Sequence, residues 1–235
     1  MAPKPQHVRS APAEPWRFSG VVRVRGGPEM APKPPHVRSA PAEPWRASLA
    51  RPRLVSDLIA ASAHFEREVT LRDGTRVRMR PIRPDDEPRL VALYDDLSQD
   101  TRYQRFFSVM RRLPPDWAHF LANVDYQRRF ALVAEAPGGA DTLIAVARYE
   151  PGGEPDTVEV ALVVQDTWQA RGLGLVLFRE LLAAAEANGI RRFRAWVLAD
   201  NRRMLGLIAR LGDVQRRAFE RGVIDLTFVI KPQPP

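Results

Sequence analysis

The feature that most constrains the fold is a run of three short strand patterns followed by one strand-helix-strand crossover. The three patterns are rich in Val, Ala and Leu and are separated by turn residues: 130–135, 142–149 and 157–164. Such a run is typical of an antiparallel meander. The segment Leu173 to Asn188 then predicts a long amphipathic helix closed by Gly189, and Arg192 to Leu198 predicts the next strand. Because two strands joined through a helix run parallel, the sequence predicts a mixed α/β sheet.

Further elements flank this run on both sides. Before it we expect a hairpin around Asp73-Gly74 and then three helices, and after it a helix and a final strand. The predicted bounds are 69–71 and 76–82 for the hairpin strands, 84–98, 99–110 and 115–124 for the three helices, 202–211 for the last helix and 223–230 for the last strand. We therefore predict one folded domain over 67–231, an extension over 1–66 before it, and a short tail over 232–235.

The extension contains a tandem duplication. Met1 to Arg17 recurs from Met30 to Arg46 with one difference, Gln6 against Pro35. The repeated unit consists mainly of Pro, Ala and charged residues, so it cannot bury a face as a solenoid repeat does. Eleven of the 22 prolines precede Arg53, and we expect this region to be disordered or in polyproline II conformation.

The positive charge of the chain is concentrated in the extension. The formal net charge is +8, but residues 1–53 carry ten basic and three acidic residues whereas the remainder carries 26 and 25. A nearly neutral domain argues against specific nucleic-acid binding as the main function. With no cysteine and four scattered histidines, we expect no metal site. No apolar stretch reaches the ~20 residues of a membrane span, so we expect no membrane partner and a cytoplasmic location.

The segment Gln169 to Gly174 carries the strongest chemical signal. Its sequence, Gln-Ala-Arg-Gly-Leu-Gly, lies between a predicted strand and the longest predicted helix. Glycines there let backbone N–H groups converge with the positive end of a helix dipole, which suits a pyrophosphate, and Arg171 can add a charged contact. A P-loop is excluded because no lysine occurs between Lys33 and Lys231, and the spacing does not fit a dinucleotide fingerprint. A glycine-rich helix entry that only sets the chain direction is the remaining alternative.

Several stretches together resemble the GNAT acetyltransferases. The central block is Glu-Val-Ala-Leu-Val-Val over 159–164 before Gln-x-x-Gly-x-Gly, with Asn201 and Gly212 downstream. Within that superfamily the chain is most similar to bacterial protein lysine acetyltransferases of the Pat type. The stretches that carry this likeness are Arg-Pro-Ile-Arg-Pro-Asp-Asp over 80–86, Ser-Gln-Asp-Thr-Arg-Tyr-Gln-Arg-Phe-Phe over 98–107, Val-Asp-Tyr over 124–126, Phe-Ala-Leu-Val-Ala over 130–134 and Val-Leu-Ala-Asp-Asn-Arg-Arg-Met over 197–204.

The resemblance implies a mostly antiparallel central sheet with helices on both faces and a splayed pair of parallel strands. The pantetheine of acetyl-CoA would lie between these two strands and bind the backbone of Leu162, Val163 and Val164. Asn201 matches the asparagine that in the family helps to hold the cofactor near its thioester. The pyrophosphate would lie on the loop formed by Gln169, Ala170, Arg171, Gly172, Leu173 and Gly174.

Glu159 is the candidate general base. An ammonium group must lose its proton before the amine attacks a thioester, and the resemblance places the catalytic carboxylate at Glu159. An isolated acid within an apolar strand would also be partly desolvated, which raises its basicity. An outward-facing strand residue paired with an arginine is the alternative. Two positions depart from the family: Ile208 stands where many members carry a tyrosine acid, and Gly212-Asp213 replaces Gly-Phe.

Family membership would make the chain an acetyl-CoA-dependent N-acetyltransferase. The likeness to Pat-type enzymes favours a protein lysine as acceptor, for example on an acyl-CoA synthetase. Two alternatives are an acetyltransferase for small-molecule amines and a catalytically idle GNAT fold that binds CoA as a sensor.

If the extension is passive, chains that start at Met30 or near Leu54 will transfer acetyl groups as fast as the full chain. Turnover of acetyl-CoA measured side by side on the three chains tests this expectation. Loss of turnover in either shorter chain would show that the extension contributes to function.

Overall fold

The computed structural model describes residues 63–108, 110–138, 142–154 and 156–232. These residues form one eight-stranded sheet with helices on both faces. The strands are β1 (Arg67–Thr70), β2 (Arg76–Pro81), β3 (Phe130–Glu135), β4 (Leu143–Pro151), β5 (Thr157–Val164), β6 (Arg192–Leu198), β7 (Gly212–Glu220) and β8 (Val223–Ile230). The helices are α1 (Glu87–Asp95), α2 (Gln99–Phe106), α3 (Pro115–Ala122), α4 (Leu173–Ala187) and α5 (Arg202–Leu211). The predicted extension lies outside the described residues except for 63–66.

The sheet is antiparallel apart from one pair of strands. Its order is β1-β2-β3-β4-β5-β6-β8-β7, and only β5 and β6 run parallel. They are joined by α4, the strand-helix-strand crossover that the sequence predicts. The prediction of a mixed, mostly antiparallel sheet is therefore confirmed.

Helix α4 covers one face of the sheet. Its buried residues include Leu177, Phe178 and Leu181, which recur at the three- and four-residue spacing of one helix side. The Phe178 ring lies 6.3 Å from the ring of Phe228, and Phe228 stacks on Phe193 at 5.4 Å. These contacts place the carboxyl-terminal strands and α4 in one continuous hydrophobic core.

Helices α1 to α3 cover the opposite face. Leu90, Leu93 and Tyr94 of α1 are buried, and the Tyr94 ring packs against Phe106 of α2 at 5.3 Å. The Tyr94 hydroxyl donates a hydrogen bond of 2.7 Å to the carbonyl of Met110, which ties the segment after α2 to α1. The three helices leave a pocket above β4 and β5.

Several predicted bounds differ from the structure by a few residues, and the first helix begins at Glu87 and ends at Asp95 rather than spanning 84–98. The largest differences are at the end of α2 and at one strand. Helix α2 ends at Phe106 rather than near Met110 because Phe107 adopts a left-handed backbone conformation with φ of 51°. Strand β7 was not predicted, because it forms the sheet edge and its exposed, charged residues show no apolar alternation. Gly212, which pairs with Ile230, begins β7. A β-carbon at Gly212 would overlap the ring of Phe228, so the chain can pass from α5 into β7 there only as glycine.

A buried ion network fixes β2 to the start of α1. The Arg80 side chain is 1% exposed and donates two hydrogen bonds, of 2.7 and 2.8 Å, to the Asp86 carboxylate and one of 2.6 Å to Glu135. Burial alone would raise the pKa of Asp86, but hydrogen bonds from Arg80 and from the Arg83 amide hold it below its usual value. The stretch 80–86, which supports the likeness to Pat-type enzymes, therefore has a structural role in this chain.

Replacing Asp86 with Asn is expected to destabilise the fold by about 3 kcal/mol at pH 7, because it removes one of the two carboxylates that neutralise the buried Arg80 guanidinium and leaves Glu135 as its acidic partner. The matched variant Asp85→Asn changes an exposed neighbour and is expected to have little effect. Because the pKa of Asp86 is lowered on folding, its contribution is complete above the unfolded value of ~3.9 and is lost as the pH falls through the folded value. Denaturant unfolding between pH 7 and 3 measures the free energy of unfolding of the original chain and of both variants. Equal free energies of unfolding for the two variants would contradict the stabilising role of Asp86.

Candidate active site

The two parallel strands separate after three residue pairs. Thr157 pairs with Arg192, and the pairing ends where Glu159 meets Arg194. Beyond this point β5 continues to pair with β4 as far as Val164, and β6 pairs with β8 as far as Leu198. The strands therefore enclose an opening whose narrow end lies at Glu159.

One edge of β5 faces this opening with backbone groups that no strand binds. The amide of Gln165 donates to the carbonyl of Ile144, and backbone groups alternate between the two sides of a strand. By this alternation the backbone groups of Leu162 and Val164 face the opening. Those of Val163 face β4, with which it is paired through Val146.

The loop at the wide end of the opening presents a row of free amides. Ala170 and Gly172 both have positive φ angles, 63° and 93°, and α4 begins directly after them. In the part of the chain that the structure describes, the five amide groups from Ala170 to Gly174 have no hydrogen-bond acceptor. Converging amides at the start of a 15-residue helix are suited to an anion.

Arginines surround this loop. Arg171 lies 3.3 Å from Asp73 and stacks on Trp168 at 4.8 Å. Arg72 was missed by sequence reasoning because its importance arises from the β1-β2 turn folding against the loop. Its amide donates to the carbonyl of Arg171, and a β-carbon at Gly172 would come within 3.2 Å of its side chain. The loop is therefore positively charged as well as rich in free amides.

The Gln169 side chain acts as a brace within the protein. It donates to the carbonyl of Val164 at 3.0 Å and to the Thr101 hydroxyl at 3.2 Å, and it accepts a hydrogen bond from Arg203. Asp166, just before it, accepts hydrogen bonds from both Ser98 and Thr101 at the start of α2. This link between α2 and the loop could not be predicted from local sequence patterns, because it joins residues more than 60 positions apart.

Asn201 lies at the mouth of the opening, shortly after β6. Its side-chain oxygen accepts a hydrogen bond of 3.1 Å from the amide of Met204 and so caps α5. Its amide nitrogen has no recorded partner among the described residues. Ile208, about two turns further along α5, is 1% exposed, and the family's tyrosine acid has no counterpart at that position.

Glu159 lies at the narrow end of the opening and is not the isolated carboxylate that the sequence suggested. It is half-buried and faces the same side of the sheet as Glu150, its partner on β4. Its negative charge acts on three arginines. Burial lowers the pKa of Arg148 and lowers that of Arg105 to about 10, and in both cases Glu159 opposes the decrease. The pKa of Arg194 is raised, first by its hydrogen bonds to Asp225 and to a smaller extent by Glu159.

A largely apolar pocket lies on the same face of the sheet as the Glu159 side chain. Its floor is formed by Val146, Arg148 and Val163, and α1 to α3 with their connecting segments supply the walls. Among the described wall residues only Arg105 carries a charge; the others are Leu90, Leu93, Tyr94, Leu97, Phe106, Leu113 and Leu121. Glu159 itself is not among the residues that line this pocket, but its charge acts on both Arg105 and Arg148.

The described residues contain no group of three or more His, Cys, Asp or Glu residues that could hold a metal ion. No helix among them is long and apolar enough to cross a membrane.

Comparisons with known proteins agree with this geometry. The Acetyltransferase (GNAT) family profile matches residues 90–213. An acetyltransferase of Pseudomonas aeruginosa is 34% identical over 149 residues, covering 63% of this chain and 80% of that protein. The acetyltransferase Pat of Mycolicibacterium smegmatis is 37% identical over 165 residues, covering 70% of this chain. The chain spans 49% of the length of that relative.

A solved structure supports the same assignment. The crystal structure of the GNAT domain of S. lividans PAT matches with 38% sequence identity and a TM-score of 0.65, covering 72% of this chain and 98% of that one. The family match extends over more than half of the chain and includes the open strand pair, the loop and Asn201. The chain therefore belongs to the GNAT family of acetyltransferases.

Proposed function

We propose that the chain transfers an acetyl group from acetyl-CoA to an amine, with a protein lysine as the acceptor. The observation that carries the proposal is the row of unbonded amides from Ala170 to Gly174 at the wide end of an opening that leads to Glu159. A row of this kind fits the diphosphate of a nucleotide cofactor. The names of the relatives, all acetyltransferases, support acetyl as the transferred group.

The donor would extend along the open edge of β5. Its diphosphate would accept hydrogen bonds from the loop amides and lie near the charges of Arg171 and Arg72. Its pantetheine amides would bond the backbone of Leu162 and Val164 as an added strand does. The carbonyl of Val164 already accepts a hydrogen bond from Gln169, so the amide of Val164 is the group left for the donor. The Asn201 side-chain nitrogen would contact the donor near its thioester.

Glu159 would remove the proton that makes the acceptor unreactive. The carboxylate takes one proton from the ammonium group, and the free amine then attacks the thioester carbonyl. The nitrogen of the resulting tetrahedral intermediate carries a positive charge and loses a second proton to water. The carbon-sulfur bond then breaks, which yields the amide and the CoA thiolate. The thiolate takes its proton from water, because Ile208 occupies the position where a tyrosine acid would stand.

The likeness to Pat-type enzymes supports a protein lysine as the acceptor. An acyl-CoA synthetase is one example of a protein that could carry this lysine. Incubation with labelled acetyl-CoA and a cell lysate tests this, since label would enter protein rather than small molecules. Residues 34–230 contain no lysine, so Lys231 is the one lysine of the domain whose side chain could itself take up the label. Label found only in small molecules would contradict the protein acceptor.

We further propose a cytoplasmic location and a passive role for residues 1–66.

A CoA-binding sensor without activity is the second candidate. The arginines whose charges interact with Glu159 favour the sensor, because their positive charges repel an ammonium group that approaches the carboxylate. Release of free CoA thiol in the presence of amines or proteins separates the two functions. Stoichiometric CoA binding with no thiol release would support the sensor.

Replacing Glu159 with Gln is expected to lower kcat by about 100- to 10,000-fold, the usual contribution of a general base, while CoA still binds. Glu220→Gln is the matched control, because Glu220 is exposed on the edge strand β7. Thiol-release assays give kcat, and calorimetry gives the affinity for CoA. Undiminished turnover in the Glu159 variant would remove this residue from the mechanism.

Replacing Gly172 with Ala is expected to weaken CoA binding by more than about tenfold, because the φ of 93° disfavours any side chain and the new β-carbon would press on Arg72. Gly206→Ala makes the same chemical change within α5, where no atom lies within 4 Å of the new β-carbon. That control should bind CoA normally and be slightly more stable, since alanine favours helix over glycine. Calorimetric dissociation constants that are equal for the two variants would contradict the assigned role of the loop.

A further inference from the structure

Arg105 is a cation that the proposed mechanism does not use. It belongs to α2, lines the pocket on the sheet face that carries Glu159, and is partly buried with its guanidinium 4.8 Å from the ring centre of Phe106. Within the described residues no carboxylate lies at hydrogen-bond or salt-bridge distance from this guanidinium. Burying a charge without a partner is unfavourable, so the position is suited to an external anion.

The other arginines on this face of the sheet each have a carboxylate. Arg129 donates to one oxygen of Glu150, and Arg148 donates to the other. Arg194 forms two hydrogen bonds with Asp225, of 2.8 and 2.7 Å. Arg105 feels the charges of Glu159 and Glu150 only at longer range. Of these four arginines, it is therefore the one whose donors are left for a ligand.

The position of the pocket indicates that the ligand of Arg105 is the acceptor and not the donor. The donor, under the proposed function, follows the open edge of β5 in the plane of the sheet. The pocket instead lies above the sheet face to which the Glu159 side chain points, on the side where the amine must approach. Its leucine-rich walls suit an aliphatic spacer, and Arg105 lies among them as a charged contact point.

We propose that Arg105 binds a carboxylate of the acceptor while Glu159 takes the proton from the amine of that same acceptor. The inference rests on the proposed function and narrows its substrate to amines that carry a nearby carboxylate. The carboxylate can belong to a small amino acid or to an acidic residue beside a lysine in a protein, because the chemistry that Arg105 recognises is the same.

The test compares acceptors that differ only in this group. One pair is a lysine peptide with Glu or with Gln beside the lysine, and the other is Nα-acetyl-lysine and its carboxamide. For the full chain, kcat/KM is expected to favour the carboxylate member of at least one pair by about tenfold or more, as for a charged hydrogen bond. The pair that shows the preference identifies the source of the carboxylate.

Arg105→Gln is expected to bring this ratio close to one, and Arg105→Lys to restore part of it. Arg179→Gln, which removes an exposed arginine of α4, should retain the full ratio. Calorimetric CoA binding by each variant confirms that it is folded. A wild-type ratio near one, or a ratio that Arg105→Gln leaves unchanged, would overturn the assignment while leaving acetyl transfer intact.

Two further results separate this inference from the function on which it rests. In the first, the enzyme prefers succinyl-CoA to acetyl-CoA and this preference depends on Arg105. The carboxylate that Arg105 binds would then belong to the acyl group of the donor, and the assignment of Arg105 to the acceptor would be wrong. If CoA binds but no acceptor of either kind is acetylated, the proposed transfer fails and this inference with it.

Discussion

The site depends on one constraint, that β5 and β6 remain paired for only three residues. Strands that stay paired satisfy each other's backbone groups, and here the separation after Glu159 leaves one edge of β5 without a strand partner. The crossover helix α4 then has to start at the end of that edge, so its free amides lie in line with it. The opening, the loop and the carboxylate are consequences of a single change in strand pairing.

The second constraint is charge. Between Lys33 and Lys231 every basic residue apart from histidine is an arginine, and the planar guanidinium can bind two carboxylate oxygens at once. Arg80 with Asp86 and Arg194 with Asp225 use it in this way. These pairs fix β2 to α1 and β6 to β8, on either side of the central strands. A nearly neutral domain can therefore contain many arginines. Arg105 in the pocket differs from these pairs, because no carboxylate of the described residues lies within salt-bridge distance of it.

Much of this fold could be predicted from sequence, because apolar periodicity and turn residues mark most of its elements. The predicted bounds of β3, β5, β6, α5 and β8 agree with the structure. Strand β7 escaped prediction because an edge strand buries little, and its register depends on Gly212 meeting Phe228. The loop could be found because glycine spacing is a local signal. Arg72, Arg105 and the Gln169 brace could not, since their roles arise only when distant segments pack together.

The central claim is that the amides from Ala170 to Gly174, together with those along the open edge of β5, hold the coenzyme. Amide hydrogen exchange followed residue by residue with and without CoA tests this directly, because a bound acceptor protects an amide that was free. The account predicts that CoA slows exchange at these loop amides and at Leu162 and Val164, and leaves the equally exposed edge of β7 unchanged. CoA binding with no protection of the loop amides would contradict it.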